Sequence, residues 1–435
     1  MKWVSRFIIL LFILIIPLKA EAENPIKKGE RLDIQRCIEL AIRNHPVINA
    51  ARNTVKVNES RIGQARSNYY PQLNWKTGYS RISPAISGTT RSSGTTSSSG
   101  SSAYDQYASN LNLTQNLYDF EKTATQVQIQ NLNTDSSRQD LNTTEAQIIL
   151  GVKQSYYSLV QAEKNREVAR ESVKQFQIHL EQAKGFFEVG VKPKFDVTKA
   201  EVDLSNAKLN LIRADNAFRI ARVNLNNAIG VPDAPEYSLD NTLLFEKYEV
   251  DLQEALKKAY NARPDLRSLM MKMEAGSQSM ELAKKGYYPY VTGNASLGFE
   301  GQDFPLDKGW NVGATLNIPL FSGFQTKNQV AEAKATLDVL KDNEQSLRMQ
   351  IRLEVEQAYS NLLEATEGIA TAQLTVRQAE ENFDLANGRY TAGVGNPIEV
   401  TDALVALSNA KTTHIAALTG FKTAQASLEK AMGVK

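Results

Sequence analysis

The side chains most capable of acid–base, nucleophilic or metal chemistry in this chain are scattered rather than grouped. Of the three histidines, His45 precedes a proline, His179 lies among charged residues of a helical stretch, and His414 takes a position in an apolar heptad. The single cysteine, Cys37, lies inside a helical pattern, where we expect a small buried residue. The sequence contains no zinc-ligand spacing, phosphate-binding glycine loop or nucleophile motif. It therefore predicts neither an enzyme nor a metal or cofactor site.

The charge balance gives no indication of a polyanionic partner. The formal net charge is +2, which does not favour nucleic-acid binding. With 42% hydrophobic and 23% charged residues the chain looks soluble on average. This average still permits a membrane β-protein, because barrel strands alternate apolar and polar residues and leave only a weak hydropathy signal.

The second half of the chain repeats the first. Up to the first strands, matching positions are separated by one constant number of residues, and after them by a slightly smaller constant number. The matches include Tyr69-Tyr70-Pro71 with Tyr287-Tyr288-Pro289, Leu117-Tyr118 with Leu320-Phe321, and Gly230-Val231 with Gly433-Val434. The change in separation falls at an extra Ser/Gly/Thr tract, from about Ser87 to Ser102, in the first copy. One structural unit of roughly 200 residues is therefore built twice.

The amino terminus has the features of a secretory signal peptide. Residues 1–22 combine a basic start, an apolar core from Phe7 to Leu18 and the small-residue cleavage site Ala20-Glu21-Ala22. The apolar run is only about a dozen residues long, too short to span a bilayer. We therefore predict export and removal of residues 1–22.

Four segments show the alternation of β-strands. In the first, Leu73, Trp75 and Tyr79 alternate with polar or small residues, and the counterpart segment in the second copy keeps the same parity. This predicts one β-hairpin in each copy, at about 71–118 and about 289–321. In both hairpins the apolar residues lie on one face, and Asn, Thr, Gly and Ser line the other.

Aromatic residues cluster at the ends of these strands. An uncharged polar face together with such a cluster is typical of a membrane barrel with a polar lumen and an aromatic girdle. The residues that we assign to the membrane interface are Tyr69, Tyr70, Tyr287, Tyr288 and Trp310. The alternative is a half-buried sheet on a soluble core. If the hairpins do span a membrane, several chains must combine their strands, because four strands cannot close a barrel and an open edge cannot lie in lipid.

A very long helical hairpin follows each β-hairpin, at about 121–229 and about 324–432. The first helix of each has no proline, and some 65 residues would extend on the order of 100 Å. On the returning helices, apolar residues recur every seventh position, which is typical of coiled-coil packing; the positions are Leu204, Leu211, Phe218 and Leu225, and then Leu407, His414, Phe421 and Leu428. We expect His414 to be packed in this seam rather than to bind a ligand.

The repeats set the predicted organisation of the mature chain. The first repeat is assigned to residues 23–231, the second to 251–435, and an inter-repeat linker to 232–250. The fold class is mixed α and β, with long helical hairpins beside two β-hairpins.

Taken together, these features resemble the TolC-like outer membrane efflux proteins, also called outer membrane factors, along nearly the whole mature chain. The segments that carry the resemblance are the Tyr-Tyr-Pro elements, Leu320-Phe321-Ser322-Gly323, and Tyr390-Thr391-Ala392-Gly393-Val394 ahead of Glu399-Val400. The resemblance implies a homotrimer in outer-membrane lipid, with a twelve-stranded transmembrane β-barrel and a helical periplasmic tunnel. It also implies a passive exit duct that works with a periplasmic adaptor (a membrane fusion protein) and an inner-membrane pump. The Ser87–Ser102 tract would then be an extracellular loop.

The resemblance also assigns roles at the helical tips. The family's aperture carboxylates fall on Glu399 and Asp402, although acidic residues in the first turn of a helix also simply complement its dipole. The family's closing contacts fall on Tyr390 and Asp196, for which we expect a hydrogen bond. A basic residue that completes the lock in the family is replaced by Gly395, so we expect no salt bridge there. The residues expected to contact the adaptor are the turn residues Gly190, Val191, Gly393 and Val394.

Two other functions are compatible with the sequence. A secreted structural or adhesive coiled-coil protein would use the hairpins as soluble caps and would not depend on detergent. The same fold could also serve type I protein secretion rather than efflux.

Overall fold

The computed structural model describes residues 26–83, 103–240 and 243–434. The predicted signal peptide and the Ser87–Ser102 tract lie outside the described residues. The first copy contains β1 (Arg31–Leu32), α1 (Ile34–Asn44), α2 (Pro46–Arg66), β2 (Gln72–Ile82), β3 (Tyr104–Tyr118), α3 (Lys122–Glu188) and α4 (Lys194–Ala228). β4 (Ser238–Leu239) then precedes the second copy, which contains α5 (Leu252–Ala262), α6 (Pro264–Lys284), β5 (Tyr290–Gly301), β6 (Asp307–Asn317), α7 (Gln325–Thr391) and α8 (Pro397–Ala431).

Equivalent residues begin the short helices in the two copies. The Asp33 carboxylate accepts a hydrogen bond from the backbone N–H of Arg36 and caps α1, and Asp251 caps α5 in the same way. Pro46 and Pro264 occupy the first turn of α2 and α6, where the missing N–H has no helical partner to lose. The duplication is therefore visible in the local signals that start each helix.

The two long helices, α3 and α7, confirm the sequence prediction. Each has 67 residues, which corresponds to about 100 Å at the rise of an α-helix. Each follows a residue in the left-handed region, Glu121 at φ 62° and Phe324 at φ 64°, which turns the chain from strand to helix. Along the described parts of the chain, no helix has an apolar stretch long enough to cross a membrane.

The four long strands form one antiparallel sheet in the order β2-β3-β5-β6. One row across it consists of Trp75, Leu111, Leu297 and Trp310, all on the predicted apolar face. Both tryptophans are 76% exposed in the single chain. The predicted faces are therefore confirmed by the pairing register.

The opposite face of the sheet differs from the prediction in one respect. Asn74, Asn112, Ser296 and Asn311 form a polar row, as expected. Charged residues lie on the same face, however, so the prediction of an uncharged face was wrong; they are Lys76, Glu300 and Asp307. Glu300 and Asp307 lie at the far ends of β5 and β6, beyond the segments in which the alternation was read.

The two hairpins have the same register. In the first, Leu73 pairs with Leu113; in the second, the equivalent residues Val291 and Leu316 pair with each other. The contact between the copies is made by β3 and β5, which leaves one edge of β2 and one edge of β6 without a partner strand among the described residues. The sheet is thus two equivalent hairpins joined side by side.

Two of the buried hydrophobic clusters are equivalent in the two copies. In the first, α1 packs with Cys37 and Ala41 against Val152 and Leu159 of α3 and Leu225 of α4. In the second, the equivalent residues of α5, α7 and α8 pack together: Ala255, Ala259, Val355, Leu362 and Leu428. Cys37 is fully buried, as predicted, and burial raises the pKa of its thiol to about 12.

Candidate functional site at the helical tips

The two helical hairpins end in turns with the same backbone geometry. In the α3–α4 tip, Gly190 has φ 77° and the N–H of Val191 donates to the carbonyl oxygen of Phe186 at 2.9 Å. In the α7–α8 tip, Gly393 has φ 82° and the N–H of Val394 donates to Arg389 at 3.1 Å. A left-handed residue after a helix is the position that glycine occupies at least cost. Both glycines are therefore needed for the turns themselves.

Apolar side chains project from both tips. Val191 is 57% exposed and Val394 is 75% exposed, and Val189 and Phe195 beside the first turn are exposed as well. Because these apolar side chains are exposed, they do not contribute to the buried core of the chain. The assignment of the tip residues to adaptor contact remains a prediction.

Tyr390 is the largest fully buried side chain of the tip region. Its ring lies 4.9 Å from the His179 ring and 5.5 Å from the Phe186 ring, measured between centroids. Both partners belong to α3, so Tyr390 anchors α7 on the neighbouring hairpin. Burial, followed by the nearby carboxylate of Asp196, raises the pKa of Tyr390.

The expected hydrogen bond between Tyr390 and Asp196 is not formed. The buried hydroxyl oxygen of Tyr390 has no hydrogen-bond partner among the described residues. Asp196 is itself buried and lies close enough to affect the Tyr390 pKa, but packing against His179 and Phe186 sets the position of the tyrosine ring. In this structure Tyr390 acts as an apolar anchor rather than as a donor.

Two polar contacts also join the hairpins. The buried hydroxyl of Thr401 on α8 donates to the Asp203 carboxylate on α4 at 3.0 Å, and Lys199 approaches the same carboxylate to 2.6 Å. In the turns, the ammonium of Lys192 donates to the carbonyl oxygen of Gly395 at 3.2 Å. We call the residues that join the two hairpins through these polar contacts and through the packing of Tyr390 the tip junction. It consists of His179, Lys192, Asp203, Tyr390, Gly395 and Thr401.

Gly395 allows the second turn to close more tightly than the first. A Cβ atom at this position would lie 2.7 Å from the Tyr390 nitrogen and 2.9 Å from the Arg389 carbonyl carbon. The N–H of Gly395 donates to Arg389 at 2.9 Å, whereas the equivalent N–H of Lys192 donates to Phe186 at 3.3 Å. No ion pair joins the two tips within the described parts of the chain. The loss of the family's lock at Gly395 remains a prediction.

The two candidate aperture carboxylates have different surroundings. Glu399 and Asp402 are both exposed near the start of α8. The guanidinium of Arg389 lies 3.7 Å from the Glu399 carboxylate, which partly balances that charge. The Asp402 side chain forms no hydrogen bond or ion pair in the described residues. Asp402 is therefore the stronger candidate for an exposed negative charge.

The candidate interface aromatics lie at the other end of the molecule. Tyr69 and Tyr287 close the short turns between helix and strand, Tyr70 and Tyr288 follow them, and all four are exposed. Trp310 lies farther along the sheet, in the same row as Trp75. Their assignment to a membrane interface remains a prediction.

A sequence model of the outer membrane efflux protein family matches residues 37–231 and 255–434. These two segments contain both long helical hairpins and the whole four-stranded sheet. The chain belongs to this family.

Relatives within the outer membrane efflux protein family are distant but cover most of the chain. The outer membrane protein TolC of Vibrio cholerae is 22% identical over 355 residues, which is 79% of this chain and 77% of TolC. The alkaline protease secretion protein AprF of Pseudomonas aeruginosa is 23% identical over 416 residues, covering 91% of this chain and 83% of AprF. The crystal structure of the Campylobacter jejuni CmeC outer membrane channel has a TM-score of 0.78 at 19% identity, covering 92% of this chain and 85% of CmeC.

Membership in the outer membrane efflux protein family confirms three of the sequence predictions. The protein is TolC-like, its fold is that of long helical hairpins with β-hairpins, and it is a channel-type transport protein rather than an enzyme. The family places it in the outer membrane.

The most informative residue that sequence reasoning missed in this family member is His179. It was assigned to a charged stretch, yet it is 4% exposed and contacts Tyr390. Its apolar neighbours at helical spacing, Phe176, Leu180 and Ala183, carry the signal that this side of α3 is buried. Asp203 and Thr401 gave no comparable signal, because their contact joins helices from different repeats.

Proposed function

We propose that the chain is the outer-membrane exit duct of a tripartite efflux system. Three copies would combine their sheets in the outer membrane and extend their helical hairpins into the periplasm after removal of residues 1–22. The tips would dock onto a periplasmic adaptor and an inner-membrane pump. Each repeat, 23–231 and 251–435, would supply one β-hairpin and one helical hairpin. The duct itself would be passive and would need no cofactor.

The observation that carries this proposal is a four-stranded sheet with an exposed apolar face and with two edges that have no partner strand among the described residues. Leu73, Trp75, Trp310, Val312 and Leu316 all lie exposed on that face in the single chain. Lipid would cover such a face, but unpaired backbone groups in lipid cost several kcal/mol each. Further copies of the chain are the partners that can cover both edges and close the sheet.

The duplication predicts how the copies pair. Within the chain, β3 of the first repeat pairs with β5 of the second, and Leu111 lies opposite Leu297. The same contact between chains would pair β6 with β2 of the partner subunit. Repeat equivalence then places Ala314 opposite Tyr79 of the partner subunit, with both residues on the apolar face.

Cysteine cross-linking tests this register. In a Cys37→Ala background, chosen because the second repeat has Ala255 at the equivalent buried place, we would introduce Ala314→Cys with Tyr79→Cys. Opposed Cβ atoms on paired strands lie about 5 Å apart, so a short thiol cross-linker should give a covalent trimer on a denaturing gel. The control Ala314→Cys with Gly78→Cys places the second thiol on the opposite face and should remain monomeric. Equal cross-linking of both pairs would contradict the proposed pairing.

The aperture is proposed at the α7–α8 tip. A ring of three Asp402 carboxylates, with Glu399 beside them, would attract cations and repel anions. In planar bilayers, wild-type protein should form discrete channels whose cation preference and divalent block decrease in the Glu399→Ala/Asp402→Ala variant. Channels unaffected by these changes would keep the duct but move the constriction elsewhere. Protein that stays soluble without detergent and forms no channels would favour the secreted coiled-coil alternative.

Adaptor docking is proposed at the exposed turn residues. Gly190 and Gly393 shape the turns, while Val191 and Val394 offer apolar side chains to a helical partner. The variant Val191→Asp/Val394→Asp should abolish rescue of drug resistance in cells without changing single-channel conductance. A loss of conductance in that variant would instead indicate damage to the duct.

Protein secretion is the second candidate, and the observation that favours it is the similarity to AprF. That relative is named for alkaline protease secretion, and the match extends over 416 residues. Expression of this chain in Pseudomonas aeruginosa lacking AprF would show whether it restores protease export. Restored export would assign a secretion role; restored drug resistance alone in an efflux-deficient host would assign efflux.

A further inference from the structure

His179 is a buried histidine placed where the two helical hairpins meet. Its ring on α3 packs against the ring of Tyr390 on α7, and both side chains are almost completely buried. Each of them also has a buried polar atom without a hydrogen-bond partner among the described residues: Nδ1 of His179 and the hydroxyl oxygen of Tyr390. A buried polar group without a partner makes a contact easy to break, because solvent would satisfy it.

The charged groups around His179 come from the elements packed against it. On α4, the Asp203 carboxylate is held by Lys199 and Thr401, and Asp196 lies nearer the turn. On α7, Tyr390 faces the ring directly, and Lys192 in the first turn lies 5.9 Å from the Tyr390 ring centroid. Neither carboxylate forms a hydrogen bond or an ion pair with His179 in the described residues. The imidazole is thus packed as a neutral ring and is not stabilised as a cation.

The direction of the pH effect follows from this environment. Burial, as the largest cause, lowers the pKa of His179; Lys199 lowers it further, while Asp203 and Asp196 oppose the shift. A released and hydrated His179 would have the ordinary pKa of about 6.5. The packed tip junction is therefore fully stable above that value and loses stability as the pH falls below it.

We infer that His179 makes the tip junction acid-sensitive: protonation expels its ring from contact with Tyr390 and releases the α7–α8 tip from α3. This inference rests on the proposed exit duct, for which it supplies a mode of regulation. The released state gains up to about tenfold in population per pH unit and per protomer below the ordinary histidine pKa. Acidification of the periplasm would then open the duct more readily.

The test compares wild type with His179→Gln, which is neutral at every pH in the range, in planar bilayers at pH 7.5, 6.5 and 5.5. Open probability should rise severalfold, by at most about tenfold per protomer, between pH 7.5 and pH 5.5 in wild type and change less than twofold in the variant. His414→Gln is the matched control, since it removes a half-buried histidine of α8 whose Nδ1 also lacks a partner in the described residues. That control should keep the wild-type pH response.

A distance measurement tests the junction independently of conduction. Spin labels on Val191→Cys/Val394→Cys in the Cys37→Ala background report the separation of the two tips; dilution with unlabelled chains restricts the signal to single chains. The separation should increase at pH 5.5 in wild type but not in His179→Gln or in His179→Phe, which keeps an aromatic ring without a titrating group.

The outcomes separate this inference from the proposed duct. Channels whose pH response survives His179→Gln would overturn the inference and leave the duct intact. Protein that forms no channels at any pH would overturn the duct, and the spin-label distances alone would then decide whether the tip junction responds to acid. An unchanged distance at pH 5.5 in wild type would overturn the inference in either case.

Discussion

The two helical tips share a backbone and differ in what their side chains do. Gly190 and Gly393 adopt the same left-handed conformation after the same length of helix. Tyr390 in the second tip is fully buried against α3, whereas its repeat equivalent in the first tip, Phe187, is 43% exposed. The two copies therefore share the same turn but differ in their side chains: the second tip is anchored on α3 by Tyr390, whereas Phe187 of the first tip is exposed.

The exposure of Phe187 also suggests where the first tip is covered. Tyr390 packs on the hairpin that precedes it in the chain, and in a ring of copies the first tip has an equivalent neighbour only in the partner subunit. If the copies repeat the internal contact, as proposed for the strands, Phe187 packs against α7 of the partner subunit. One kind of contact would then recur around the whole ring.

Truncation of the two equivalent aromatics gives the largest expected difference. Tyr390→Ala should destabilise the packed tip by about 3–5 kcal/mol, because it removes a fully buried ring and leaves a cavity. Phe187→Ala should cost about 1 kcal/mol or less within one chain. Hydrogen exchange at the amides of each tip measures both effects. Similar losses at the two tips in detergent-solubilised trimers would indicate that Phe187 is buried by the partner subunit.

The second-largest effect is expected from adding a methyl group at Gly395. Gly395→Ala should cost about 1–3 kcal/mol, because its Cβ would approach the Tyr390 nitrogen to 2.7 Å and force the turn open. The equivalent change in the first tip, Lys192→Ala, adds no atom to its turn but removes the ammonium that donates to the Gly395 carbonyl oxygen. Open probability in bilayers should therefore rise more for Gly395→Ala than for Lys192→Ala. A silent Gly395→Ala would mean that the second turn can relax to the geometry of the first.

A smaller effect is expected from the hydrogen bond between α8 and α4. Thr401→Val should weaken the tip junction by about 1 kcal/mol, because Asp203 loses the Thr401 hydroxyl but keeps Lys199. The equivalent threonine, Thr198, is exposed and donates only to the Lys194 carbonyl oxygen of its own helix. Thr198→Val should therefore leave exchange at the tips unchanged. A larger change in hydrogen exchange for Thr198→Val than for Thr401→Val would mean that the first tip, not the second, is the anchored one.

The smallest effect is predicted for removal of the Tyr390 hydroxyl. Tyr390→Phe should change the stability of the tip by no more than about 0.5 kcal/mol, or stabilise it slightly, because the buried hydroxyl has no hydrogen-bond partner to lose among the described residues. Hydrogen exchange and open probability should both match wild type. If Tyr390→Phe destabilises the tip by about 1 kcal/mol or more, the Tyr390 hydroxyl does form the hydrogen bond to Asp196 that the family resemblance implies.

Much of the fold could be predicted from the sequence because each signal occurs twice. Alternation along Leu73, Trp75 and Tyr79 defined a strand face, and the counterpart strand repeated it with the same parity. The absence of proline from α3 and α7 predicted their length. The description of the polar face as uncharged passed over Lys76, and Glu300 and Asp307 join that face because β5 and β6 extend beyond the alternation used to define it.

The tip junction could be predicted only in part. The equivalence of Phe187 and Tyr390 follows from the repeat, but nothing in either local sequence says which ring is buried. That depends on α3 lying beside α7, a contact between residues far apart in the chain. The burial of His179 was readable from its apolar neighbours on α3, but its contact with Tyr390 was not, because Tyr390 belongs to the other repeat.

The unbroken length of α3 and α7 has a mechanical consequence. A continuous α-helix curves only gently, so it carries a tilt from one end to the other much as a stiff rod does. For a rod of about 100 Å, a tilt of about 3° at the sheet displaces the tip by about 5 Å, close to the pitch of one helical turn. In the proposed duct, small adjustments of the strands would therefore be magnified at the distant tips, and a change in the thickness of the bilayer would reach the proposed aperture through the helices.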